Sequence, residues 1–430
     1  MTQAVKIGVV GLGTVGKGVL DILDRNGALV AARGGRPILV SAVSARDRRK
    51  DRGLDLTAVR WFEDAPALAA DPEVDVVLEL IGGSEGVARE VVETALRAGK
   101  PVVTANKALI AHHGTELAQL AQANSVPLAY EAAVAGGIPV IKTLREGLAA
   151  NRVERIQGIL NGTCNYILTT MRESGREFAE VLADAQRLGY AEADPAFDID
   201  GVDAAHKLAI LTALAFGCEV DFEGVHVEGI RSISATDIEY AEELGYRIKL
   251  LGIAQLREEG VEQRVHPCMV PKGMPLAHVE GVFNAVHAIG DFVGSIMVEG
   301  RGAGAGPTAS AVVADLVDIA RGVHIPAFTL PAGSLVRLPT RAMEGHVGAY
   351  YVRLMVVDRP GVIAEVTAAL RDSDISVESF LQRGRAPGEA VPVILTTHET
   401  KESAMQTALS KISNLEATLE EPRVIRIETS

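Results

Sequence analysis

Between Gly189 and Lys207 the chain carries five carboxylates, Glu192, Asp194, Asp198, Asp200 and Asp203, set among proline and glycine instead of along one helical stripe. The apolar run from Leu208 to Phe216 follows directly, so a helix starting near 201 should be largely buried. Asp203 falls in its first turn, where the helix dipole favours an anion, and Lys207 lies one turn later on the same face. An acidic loop and an ordinary i,i+4 ion pair would give the same pattern. A buried carboxylate that keeps a neighbouring ammonium charged could instead serve proton transfer. Glu192 and Asp198 would suit a ligand bearing its own ammonium group.

A second lysine, Lys107, follows Thr104-Ala105-Asn106 at the C-terminal end of an apolar strand, which is where open parallel sheets place their ligands. The segments 131–139 and 161–165 read as further strand ends that could line the same cleft. Cys164, in the second of them, is open to two readings: a nucleophile that oxidises aldehydes, or a buried small hydrophobe with no histidine beside it. His112 and His113 are adjacent, so on a helix they face different ways and do not share a metal. His206 reads as structural.

The hexapeptide Gly11-Leu12-Gly13-Thr14-Val15-Gly16 comes after an apolar strand and opens a helix. In that context the glycines permit a tight turn and close approach of backbone to a pyrophosphate, held at the helix N-terminus. The second strand ends in Ala45-Arg46-Asp47-Arg48-Arg49-Lys50. Asp47 could face a ribose 2′-hydroxyl, but Arg46 and Arg48 among four cations favour a 2′-phosphate. The expected cofactor is NADP, with NAD tolerated.

These groups need a scaffold. From 5 to 134, apolar strands (5–11, 38–43, 75–81, 101–104, 128–134) alternate with helices (14–25, 86–98, 109–123). That pattern implies an α/β fold with a Rossmann-type doubly wound parallel sheet over residues 1–136. Residues 137–306 mix helices (138–150, 178–188, 202–216) with alternating strands (247–255, 264–270, 285–289), as in an α+β catalytic and dimerisation domain. A helix over 308–321, in a 307–345 linking segment, should return to the first domain. Residues 349–430 order as βαββαβ (350–357, 362–372, 376–382, 391–397, 403–415, 423–428).

Composition narrows the function classes. The 430 residues are 48% hydrophobic and 23% charged with a net charge of −14, an ordinary globular balance that argues against nucleic-acid or anionic-membrane partners. Three widely spaced cysteines, Cys164, Cys218 and Cys268, fit neither a disulfide framework nor a paired-cysteine zinc site. No basic leader or membrane-length apolar run is visible, so a soluble, cytoplasmic protein is expected.

The hexapeptide at 11–16, TANK at 104–107, EAAVAGGIP at 131–139, NGTCNYIL at 161–168 and GYAEADPAFDIDGVDAAHKL at 189–208 together resemble the homoserine dehydrogenase family, in order and over nearly the whole chain. The resemblance implies reversible NAD(P)H-dependent reduction of L-aspartate 4-semialdehyde to L-homoserine, toward threonine and methionine. It implies cofactor contacts at Leu12, Thr14, Val15, Lys107 and Gly304, and substrate contacts at Gly189, Glu192 and Asp203. Lys207 would be the proton donor, although the residues alone leave Lys107 as a competitor. A monovalent cation, sodium, would sit at Glu131, Val134, Gly136 and Ile138. The segment Val357 to Val362 resembles an ACT domain, a module that often binds a regulatory amino acid, and threonine is the expected effector. A homodimer or homotetramer is expected. Two rival readings remain at this level, an aldehyde dehydrogenase acting through Cys164 and a non-catalytic nucleotide or amino-acid sensor.

Overall fold

The computed structural model describes residues 3–383 and 386–428. Six parallel strands form the first sheet: β1 (Val5–Val10), β2 (Ile38–Ser44), β3 (Arg60–Phe62), β4 (Val76–Glu79), β5 (Val102–Thr104) and β6 (Leu128–Ala129), in the order β3-β2-β1-β4-β5-β6. The order reverses between β1 and β4, so a crevice opens beyond their carboxyl ends. Both faces are covered, and β1 and β4 are therefore apolar almost throughout. The helix Thr14–Gly34 covers one face together with Ala305–Ala320, which returns from far along the chain. The two meet at Gly18, where a methyl group would stand 2.6 Å from the Ala305 carbonyl oxygen.

The second sheet has eleven strands. β7 (Val153–Ile159), β9 (Tyr246–Arg257), β10 (Gly260–Pro271), β11 (Phe283–Gly290) and β12 (Gly294–Arg301) are antiparallel, and the short β8 (His226–Val227) pairs with β10. β13 (Val347–Val357), β14 (Val377–Gln382), β15 (Ala390–Thr397), β16 (Thr400–Lys401) and β17 (Arg423–Ile427) complete it. With helices Val362–Arg371 and Glu402–Ser413, the C-terminal strands make the expected βαββαβ unit around its own core. Its sheet is continuous with the central one, because β17 pairs in parallel with β10 at Cys268↔Arg426 and Met269↔Ile427. The helix Val202–Phe216 packs on β7, β9 and β10, buried along almost its whole length.

Several elements differ from expectation. The strand placed over 128–134 stops after Ala129, and a 3₁₀ turn, Glu131–Ala133, takes over where the Glu131 N–H donates to the Asp315 carboxylate (2.9 Å) instead of to a neighbouring strand. The helix placed over 138–150 is a short α-turn, Val140–Lys142, that widens into a π-turn, Thr143–Gly147. The first helix runs to Gly34, past 25, and ends on Gly35 at φ +76°. A helix over Gly162–Ser174 was not expected; the Asn161 side chain caps it by accepting the Cys164 N–H (2.8 Å). The helix Ala235–Glu243 and strands β3 and β12 were likewise not anticipated, whereas β7 ends just before 161–165, the segment read as a strand end.

Candidate active site

Asp203 and Lys207 stand in the first two turns of Val202–Phe216, as their spacing requires. Asp203 Oδ2 accepts from Lys207 Nζ at 2.7 Å and from Asn161 Nδ2 at 2.8 Å, while its Oδ1 lies 2.6 Å from Lys107 Nζ. One buried carboxylate thus joins both candidate lysines. Despite burial, the two ammonium groups hold its pKa well below the usual carboxylate range. Lys207 is buried too, and this loss of hydration pushes its ammonium below the ordinary lysine value, with Asp203 opposing the shift. Its Nζ also donates to the Leu160 carbonyl (2.7 Å). An ammonium has three donors, so one remains for the cleft that Lys207 lines.

Lys107 begins the helix Lys107–Ala123, capped by Asn106, and so stands at the carboxyl end of β5. The Phe197 ring covers its ammonium at 5.4 Å. Phe197 in turn lies 5.5 Å from His206, which stacks on Phe222 at 4.3 Å. His206 therefore belongs to an aromatic cluster, where burial first and His112 second lower its pKa to about 4. Phe197 was missed in the sequence because nothing there says where the 196–199 turn lands.

Asp198 accepts from Asn161 at 2.8 Å, and burial together with Asp203 raises its pKa. Gly189, Glu192 and Asp198 line the same cleft as Asp203, Lys207 and Lys107, a cavity of about 580 Å³. Val15, Gly136, Gly302 and Gly304 border its other side, so nucleotide-side and acid-side residues share one space. Gly11, Leu12, Gly13, Thr14 and Gly16 form the turn leading into it, while Arg46 and Arg48 lie on an exposed loop after β2. Cys164 is buried, bonded through sulfur to the Asp198 carbonyl (3.2 Å), with its thiol pushed well upward by burial. That environment disfavours a thiolate nucleophile.

The turn at 11–16 fits a dinucleotide. A methyl on Gly11, at φ +104°, would lie 2.5 Å from the Leu80 carbonyl oxygen, whereas the space over Gly13 is open. Gly13 caps the helix with no side-chain bond of its own, so the first amides are available to phosphate. Glu79, unremarked in the sequence, shapes the facing loop: its carboxylate accepts from Ile81 N, Gly82 N and the Thr104 hydroxyl at 2.9, 3.2 and 2.6 Å. Its one signal was an acid ending an apolar strand.

The loop at 131–138 fits a hard monovalent cation. The Glu131 carboxylate accepts the N–H groups of Ile141 and Lys142, each at 2.9 Å. Burial, then Asp315, raises its pKa to about 7. Lys142 directs its ammonium to Asp315 (3.2 Å) and Asp318 (2.5 Å). Ala135 and Gly136 both have positive φ, at 56° and 49°, so the backbone turns sharply here. Among the described residues no cluster of three His, Cys, Asp or Glu side chains is available to a metal, so a cation here would draw most of its ligands from carbonyl oxygens.

Known proteins of similar sequence and fold give the family. Over 433 aligned residues the chain is 47% identical to the homoserine dehydrogenase of Pseudomonas aeruginosa, covering 99% of both. The chain belongs to the homoserine dehydrogenase family. Family models for homoserine dehydrogenase, its NAD-binding domain and the ACT domain match residues 139–317, 11–131 and 350–417. The homoserine dehydrogenase of Thiobacillus denitrificans superposes with a TM-score of 0.93 at 48% identity, over 99% of this chain and 98% of that one. A hyperthermophilic archaeal homoserine dehydrogenase solved with NADPH is 28% identical with a TM-score of 0.63, over 74% of this chain and 97% of that one. As a homoserine dehydrogenase, the chain is an NAD(P)-dependent oxidoreductase with an ACT domain at its C-terminus.

Proposed function

We propose that the cleft exchanges hydride between NADP and the pair L-homoserine and L-aspartate 4-semialdehyde, with Lys207 as proton donor. The observation that carries this reading is Asp203, bound at once to Lys207 (2.7 Å) and Lys107 (2.6 Å) inside the cleft. The nicotinamide, when bound, supplies the hydride to the aldehyde carbon. Lys207 then stabilises the developing alkoxide and gives it a proton, which its burial makes easier to release. Asp203 keeps that ammonium charged and aimed. Lys107 shares Asp203 and, at the strand end, serves the cofactor side. Gly189, Glu192 and Asp198 receive the substrate amino acid, the acids facing its α-ammonium.

Leu12, Thr14, Val15 and Gly304 contact the dinucleotide in this reading, and Arg46 and Arg48 hold a 2′-phosphate. NADPH in the archaeal relative supports that preference. Glu131 with the carbonyls of Val134, Gly136 and Ile138 holds sodium. Functional units at 1–136, 137–306, 307–345 and 349–430, cytoplasmic residence, threonine inhibition through the ACT domain, and a homodimer or homotetramer complete the proposal. The open edge strands β12 and β14 and the exposed Phe292 support self-association.

Nicotinamide absorbance with L-homoserine and either cofactor tests the reaction. Arg46→Ala with Arg48→Ala should cut kcat/KM for NADP by about tenfold or more and leave NAD nearly unchanged. An unchanged ratio of the two cofactors would remove the 2′-phosphate assignment.

A further inference from the structure

Buried polar side chains normally find partners. Among the described residues nine buried side-chain atoms lack one, and Asn284 Oδ1 is the only one of the nine whose residue lines the active-site cleft. Asn284 is 1% exposed. It lies near the start of β11, and Ala285 beside it pairs with Ile159, the last residue of β7. The chain then continues through Leu160, whose carbonyl holds Lys207, to Asn161, which holds Asp203 and Asp198. Two glycines make room for the amide. A methyl on Gly302 would fall on the Asn284 side chain, and one on Gly162 would stand 3.2 Å from Oδ1. Gly302 belongs to the loop leading to Gly304 on the nucleotide side, and Gly162 precedes Thr163, whose hydroxyl bonds the Tyr190 carbonyl (2.7 Å) on the acid side. The amide therefore sits on the wall where the two ligands meet.

We infer that Asn284 is a ligand-binding residue whose amide oxygen accepts an N–H from a group bound in the cleft. An unpaired buried acceptor is costly, and the cleft that Asn284 lines is where a bound group could bring it a donor. Two bound groups offer that donor, the carboxamide of the nicotinamide and the α-ammonium of the substrate. The inference rests on the proposed reading of the cleft.

The test uses the full chain with Asn284→Leu, which keeps the volume but has no acceptor, and Asn284→Asp, which keeps the acceptor and adds charge. NADPH affinity by fluorescence titration without substrate is measured beside KM for homoserine. If the carboxamide is the donor, Asn284→Leu weakens NADPH binding about three- to tenfold, the range for one neutral hydrogen bond, and spares homoserine KM. If the ammonium is the donor, Asn284→Leu raises homoserine KM by at least as much and Asn284→Asp restores it. NADPH affinity and homoserine KM both within twofold of wild type, in variants with unchanged melting temperature, would overturn the assignment. Asp203→Asn is the reference. Full turnover in that variant would overturn the reading of the cleft, whereas silent Asn284 variants beside a crippled Asp203→Asn would overturn the assignment of Asn284 alone.

Discussion

The proposed chemistry turns on one carboxylate and the two ammonium groups it holds. Asp203 and Lys207 were legible in the sequence because an i,i+4 pair at the mouth of an apolar helix has little freedom. That Lys107 reaches the same carboxylate from another helix was not, since 96 positions separate them and only the sheet order brings them together. The pH behaviour follows from burial. Lys207 has its pKa lowered, so its ammonium is lost at lower pH than that of a free lysine. Aldehyde reduction, which needs the acid, should fall as pH rises through that value, and homoserine oxidation, which needs the free amine, should rise. Asp203→Asn removes the charge that opposes the downward shift. The rising limb of homoserine oxidation should move to lower pH, alongside a loss of rate. A limb that stayed in place in the pH profile of kcat/KM would show that another group titrates.

At the scale of elements, the apolar strands and the glycine turn of the first sheet were readable because each is a local pattern. The breaks at 131–147 were not. A 3₁₀ turn and a π-turn stand where a strand and a regular helix were expected, because Glu131 is tied to Asp315 and to the amides of Ile141 and Lys142. Those are tertiary bonds with no sequence signature. This irregular backbone is also where the cation is proposed. With a pKa near 7, the Glu131 carboxyl is protonated in the fold between its ordinary value of 4.5 and about 7. Its ionisation thus lowers stability as pH rises through that window. A cation that binds the ionised form reverses the loss. Sodium chloride, against an organic-cation chloride of equal ionic strength, should raise the melting temperature by a few degrees at pH 8 and much less at pH 5.5. Glu131→Gln should abolish the difference, and a salt effect that survives in that variant would place the ion elsewhere.

At the scale of the whole molecule, the ACT unit was legible as a βαββαβ pattern, but its junction was not. Its last strand enters the central sheet through two residue pairs. From that strand Arg426 bonds Glu402 in its own unit (2.8 and 2.9 Å) and Glu228 in the catalytic one (2.9 and 3.0 Å). Two residues beyond Glu228, the Ile230 N–H donates to the Ile199 carbonyl (2.9 Å), beside the acid loop. An effector bound at the ACT unit would have a short bonded route to the substrate end. Millimolar threonine should therefore depress turnover, and Glu228→Gln, which weakens the catalytic end of this link, should raise the concentration giving half inhibition several-fold. Activity indifferent to threonine in the unsubstituted protein would remove the effector.

In the proposed reaction Lys207 delivers the proton. Single-turnover oxidation of NADPH by L-aspartate 4-semialdehyde, with enzyme in excess, isolates that step from product release. Lys207→Met should slow it by about 10²-fold or more, the usual share of a positioned acid, while NADPH still binds. Lys107→Met should instead act chiefly on cofactor affinity. Near-normal single-turnover rates in Lys207→Met, with chemistry lost in Lys107→Met, would contradict the assignment and transfer the proton to Lys107.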